Sequence, residues 1–379
     1  MFRGSFLTFL SAALIVAATP TQAQVTQAFD VSAPFPPTIV SVAGVPELSY
    51  EIHLTNFSSL PLSLDGVSII DAADRPLGEF RGEILRVMLG PAGAARGEDI
   101  SLVAPGDRVV LYVNLPLPDK RLPVSVRHRI DFRVMRKEGD APASILTGET
   151  AVDTDKPLRL GPPLKGGPWA AVYDPMMERG HRRVFYAVDG EARIPGRFAI
   201  DFFRVDDSGA RAPAGATRPA DFYGRGAEVL AVGDGVIAAA RDDMAEPQSV
   251  GGRPTSLGDA AGNYIALDLG EGRYAFYEHL SPGLLAKQGQ KVRKGDVIAR
   301  LGFTGEGTEP HLHFHVGDAN SPLAAEGLAF VFDGFEVAGG YPSIEVFGRN
   351  QPWTPRASGP AGEALTRPAP NAVIRFPGG

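Results

Sequence analysis

Glu309-Pro-His-Leu-His-Phe-His315 is the stretch that decides how the second half of this chain folds. Side chains alternate along a strand, so His311, His313 and His315 project from one face while Leu312 and Phe314 enter a core on the other. Three imidazoles then share one surface, in a chain that has only seven histidines among 379 residues. Neutral imidazole suits zinc, and two rings two residues apart on a rigid strand can divide the work, one as ligand and one as acid or base. Nearby, Tyr277-Glu-His-Leu280 follows an aromatic strand, and Arg197-Phe-Ala-Ile-Asp201 ends an apolar strand on a carboxylate.

Composition narrows the chemistry. There is no cysteine, which excludes disulfide scaffolds, thiolate metal sites and thiol nucleophiles together. Lys+Arg number 37 against 44 Asp+Glu, a net charge of -7, so the overall field repels phosphate backbones and nucleic acid is not an expected partner. The 45 glycines and 33 prolines show no three-residue period and imply many turns between short strands. The expected class is all-β.

The N-terminus has the layout of a secretory signal: Arg3 early, an apolar run over residues 6–18 broken only by Thr8 and Ser11, then Thr21-Gln-Ala23. That run is too short to cross a bilayer. The expectation is a signal peptide over residues 1–23 and a periplasmic or secreted protein with no integral membrane segment after cleavage. Residues 24–155 alternate in short pieces, such as Leu48-Ser-Tyr-Glu-Ile-His-Leu54 and Val124-Ser-Val-Arg-His-Arg-Ile130, and read as an immunoglobulin-like β-sandwich. His53 and His128 stand alone in those strands and read as structural or surface residues. Residues 156–168 are dense in breakers and read as a linker, residues 169–348 as the second strand-rich domain, and residues 349–379 as a Pro/Gly-rich tail.

In order, Ala227-Glu-Val-Leu-Ala-Val-Gly-Asp-Gly-Val-Ile237, Gly262-Asn-Tyr-Ile265, Tyr277-Glu-His-Leu280, Gly289-Gln-Lys-Val-Arg-Lys-Gly-Asp-Val-Ile298, Gly302-Phe-Thr-Gly305 and Glu309-Pro-His-Leu-His-Phe314 closely resemble the lysostaphin-type, LytM-like zinc metallopeptidases. The resemblance implies a LytM-like antiparallel β-sheet with a groove and one zinc, Asp201 and His313 as metal ligands, and His279 and His311 as unligated catalytic histidines. It further implies hydrolysis of a peptide crosslink in peptidoglycan.

One position departs from that pattern. Arg197, four residues before Asp201, stands where the family has its first histidine ligand, and a guanidinium offers no lone pair. His181 is one substitute. If residues 181–203 form a hairpin through Asp189-Gly190, a two-residue turn sets His181 opposite Phe198, away from Asp201; one extra loop residue or a bulge near Pro195 moves it opposite Ala199 and onto the face of Asp201. His315 is the other substitute. Without either, the domain becomes a catalytically impaired module that binds cell wall or activates another wall hydrolase. Arg182 and Arg183 read as a solvated strand face, and the pairs Asp206-Asp207 and Asp242-Asp243 as loop residues.

Overall fold

The structure is a computed structural model that describes residues 28–91, 99–119, 121–178, 180–252, 255–359 and 361–378. The expected signal peptide lies outside these residues. No helix among them is long and apolar enough to cross a membrane. Strands form almost all of the regular structure, and they gather round two main apolar cores.

The N-terminal unit has two antiparallel sheets. In one, Phe29–Ser32, Val45–Asn56, Arg108–Pro116 and Leu89–Pro91 follow one another, with Thr38–Val42 also on Val45–Asn56; in the other the order is Ala141–Leu146, Ser125–Val134, Leu62–Asp71, Pro76–Arg81. Alternation along Val45–Asn56 sends Leu48, Tyr50, Ile52 and Leu54 into the core, against Leu64, Val67, Ile130 and Phe132 of the facing sheet. Ser49, Glu51 and His53 on the opposite face are buried as well, because the second unit packs there. His53 lies edge-on to Phe185, their ring centres 5.9 Å apart. His128 is buried at the side of the core, its Nε2 2.9 Å from the Tyr50 hydroxyl.

The second unit is built on an eleven-stranded sheet. Its central strands run Gly235–Arg241, Tyr264–Asp268, Tyr274–Glu278, Leu312–Gly317, Ile200–Arg204, Gly166–Val172, Ala372–Phe376, Phe335–Gly340. Leu312, Phe314 and Val316 pack with Ile200, Phe202, Tyr277 and Ile265 on the core face, as period two requires. The histidine strand is flanked on both sides, with Asp201 opposite His313 on one neighbour and Glu278 opposite His313 on the other.

Two boundary expectations differ from this arrangement. The stretch after residue 348 is no tail: Ala372–Phe376 lies inside the sheet between Gly166–Val172 and Phe335–Gly340. Its Val373 and Ile374 are fully buried, because a central strand covered on both faces is a short apolar run with no alternation. The linker segment is also structured, since Leu158–Leu160 pairs in parallel with Phe330–Phe332 and Gly166 already begins a strand.

Candidate metal and catalytic site

The hairpin expected around Asp189-Gly190 is present but short. Tyr186–Val188 pairs with Glu191–Arg193 through a two-residue turn, Val188 opposite Glu191. Beyond it both chains leave the extended conformation for single 3-10 turns, His181–Arg183 and Pro195–Phe198. Strand register therefore never reaches His181, and the face it would have had in a longer hairpin is irrelevant. The two turns pack together, and Gly196 permits the approach: a Cβ there would fall 2.7 Å from the His181 Cβ.

This contact directs His181 to Asp201. Its Nε2 lies 3.2 Å from Asp201 Oδ2, and His313 Nδ1 lies 2.9 Å from Asp201 Oδ1. One donor atom from each of His181, Asp201 and His313 lies within 4.8 Å of the others. Two imidazoles and one carboxylate beside an open cleft form a donor set that suits a catalytic zinc, which takes three protein ligands and keeps a position open. His315, the other substitute, is elsewhere: its Nδ1 is 3.2 Å from Nε2 of His313, the ring nitrogen that does not face Asp201. There it also stands 3.4 Å from Glu278, and Glu278, His313 and His315 make a second converging group.

His279 and His311 complete the cleft wall. The His279 ring Nδ1 is 2.9 Å from the Thr304 carbonyl, and the His311 Nδ1 is 2.8 Å from the Glu309 carbonyl. A carbonyl only accepts, so both Nδ1 atoms carry the hydrogen and donate it, leaving each Nε2 for the cleft. The two ring centres are 4.7 Å apart, and His311 is stacked on Phe203 at 4.8 Å. His311 Nε2 is 3.7 Å from Asp201 Oδ1. The cleft has a volume of about 790 Å³ and runs past Tyr186, Thr308 and Phe347.

Electrostatics follow from this crowding. Burial disfavours the charge of Asp201, but His181 and His311, with hydrogen bonds from His181 and His313, outweigh it and hold the carboxyl well below its ordinary range. Burial would lower His181, and Asp201 reverses the direction and raises it. Burial followed by the neighbouring His311 and His313 keeps His279 well below the ordinary imidazole value, so it is neutral. Glu278 is pushed up to about 8 by burial and then by the charge of Asp201.

Arg197 does not enter the cleft. It turns to Glu51 of the N-terminal unit and to Glu326, donating from Nε at 2.9 Å and NH2 at 2.6 Å to the latter. Arg182 and Arg183 are not a solvated face either. Arg182 donates from Nε to Glu51 at 2.7 Å, and Arg183 from NH2 to the Val87 carbonyl at 2.8 Å. The pattern of the sequence contains no sign of these cross-unit partners. The aspartate pairs do serve loops: Asp206 accepts from the Ser208 and Ala210 amides, Asp242 from those of Gly283 and Leu284.

An antiparallel sheet with a His-Leu-His motif at the head of a strand, a carboxylate on the neighbouring strand and further histidines in the cleft wall resembles a metallopeptidase class of site. Residues 220–325 match the model of peptidase family M23. His279, His311 and His313 fall inside the matched residues; His181 and Asp201 precede them. The chain is 34% identical over 100 residues to the peptidoglycan DD-endopeptidase ShyA of Vibrio cholerae, covering 26% of this chain and 20% of ShyA. It is 46% identical over 69 residues to an uncharacterized metalloprotease of Haemophilus influenzae, covering 17% and 14%. The matched part thus spans a fifth or less of these relatives. Among solved structures, the catalytic domain of lysostaphin from Staphylococcus simulans is 22% identical, with 43% of this chain and 88% of that one covered and a TM-score of 0.24.

Proposed function

We propose that this protein is an exported zinc metalloendopeptidase that hydrolyses peptide crosslinks of peptidoglycan. His181, Asp201 and His313 are the residues that would hold the metal. The observation carrying this reading is the convergence of those three donors at a cleft whose wall also bears two histidines tied through Nδ1 to backbone carbonyls. The likeness to peptidoglycan endopeptidases over the matched residues supports the substrate class.

When bound, zinc supplies a Lewis acid that polarises a carbonyl and makes a water nucleophilic at neutral pH. The chain's own residues do the rest. Neutral His279 accepts a proton at Nε2 while its Nδ1 stays tied to Thr304. His311, tied to Glu309, presents Nε2 to the same space, where a proton carried on it is donated to the carbonyl oxygen or the leaving amine. Asp201 keeps its charge and helps to orient His181 and His313.

The test is digestion of purified peptidoglycan by the zinc-loaded chain, with released muropeptides followed by mass spectrometry. Loss of crosslinked species is expected. His279→Ala or His311→Ala should lower turnover about 10²- to 10⁴-fold while zinc content stays at the wild-type level. A wild-type chain that binds zinc and leaves every crosslink intact overturns the endopeptidase reading.

A further inference from the structure

We infer that Glu51, in the N-terminal unit, is a positioning residue for the metal site of the second unit, holding His181 in place through Arg182 and Arg197. This rests on the reading of His181, Asp201 and His313 as the metal-holding set. Glu51 is fully buried and sits between Tyr50 and Ile52, whose side chains fill the sandwich core, so it points out of the opposite face. Both of its oxygens are used: Oε1 accepts from Arg182 and Oε2 from Arg197. Arg197 in turn is shared with Glu326, so two guanidiniums and two carboxylates form one row across the boundary between the units, buried at Glu51, Arg182 and Arg197 and half-buried at Glu326.

His181 is the residue that this row places. It immediately precedes Arg182 in a 3-10 turn of three residues whose N-cap makes no side-chain hydrogen bond. So short a turn has little stability of its own. Arg182 ties it down, donating also from NH2 to the Tyr50 and Val113 carbonyls at 2.7 and 2.9 Å, and Arg183 adds its bond to the Val87 carbonyl at the far end of the turn. On its other side the turn leans on Gly196, the residue before Arg197. The turn that carries His181 and the turn it leans on are therefore both gripped, through Arg182 and Arg197, by the same carboxylate. The side chain at position 197, unable to ligate, serves to dock the N-terminal unit, whose Glu51 also grips Arg182 beside the substitute donor.

A double-mutant cycle on the full chain tests this. Zinc dissociation constants are measured by competition with a chromophoric chelator for wild type, Glu51→Gln, His181→Ala and the double variant. Glu51→Gln is expected to weaken zinc binding about 10- to 100-fold, the range for residues that orient ligands. In the His181→Ala background the same change should shift affinity less than about twofold, because its route to the metal is already gone. A purely structural role gives the same loss in both backgrounds, and that result, or unchanged affinity in the single variant, overturns the inference. Arg182→Lys, which keeps the charge but loses the fork that grips Glu51 and the two carbonyls, should repeat the pattern and serves if Glu51→Gln does not fold. A wild-type chain that binds no zinc contradicts the metal-holding set itself, a failure distinguishable from the others.

Discussion

His279 shows how a single residue is prepared for chemistry. Its φ of +62° lies in the left-handed region, uncommon for a side chain of this size. It is kept there by its amide donating to the Ala261 carbonyl at 3.0 Å and its ring to Thr304. Gly262 turns at φ +65° where any Cβ would meet the Thr304 backbone at 2.5 Å, which gives a physical reason for the Gly262-Asn motif. Arg197 is the opposite case, a residue whose neighbourhood in the sequence misdirects. Because the turn Pro195–Phe198 aims position 197 at Glu51 and Glu326, restoring a histidine there should not restore a ligand. Arg197→His is expected to leave zinc affinity no better than wild type. It should also lower stability by about 3 kcal/mol, since buried Glu51 and half-buried Glu326 both lose a partner. Chelator competition and urea unfolding read both; a gain in zinc affinity would show that the turn can re-form to face Asp201.

At the scale of elements, the site is a strand meeting a turn. The strand Leu312–Gly317 delivers His313 by alternation alone, and its neighbours bring Asp201 and Glu278 level with it. The turn His181–Arg183 delivers the third donor only through close packing on Pro195–Phe198. Gly196→Ala should therefore act on both properties, costing about 1–3 kcal/mol for the overpacked contact and weakening zinc binding as His181 is pushed from Asp201. Differential scanning calorimetry with and without zinc measures the pair: the zinc-induced rise in Tm should shrink in the variant. An unaltered rise would mean that the turn carries no ligand.

Over the whole molecule, the two units share one polar seam, and the sandwich brings its own acid sensitivity. Burial lowers His128 to about 4, and burial followed by Arg108 does the same to His53. An unfolded histidine titrates near 6.5, so between about 6.5 and 4 the unfolded chain binds more protons. The stability from keeping these rings neutral is complete above 6.5 and is lost as pH falls toward 4. The loss for one such ring is roughly 2 kcal/mol between pH 7 and 5. Urea midpoints across that window should fall less steeply for His128→Gln than for wild type. Equal slopes would show that folding does not weaken proton binding at His128.

Much of the domain was legible because its determinants are local. Period two gave the histidine face, and the glycine-rich motifs of residues 262–305 mark turns with left-handed or tightly approached backbone. The strand Ala372–Phe376 was not legible, since a five-residue run buried on both faces lacks alternation and stands among prolines and glycines that suggest a tail. By itself the sequence determined an all-β chain without thiol chemistry and a strand bearing His313 and His315 with His311 just before it, properties set by composition and by the geometry of neighbouring residues. Only the tertiary structure decided that His181 meets Asp201 and that Arg197 leaves it for Glu51. Those contacts join positions up to 146 residues apart through two irregular turns, where no backbone period constrains the direction of a side chain and packing alone sets it.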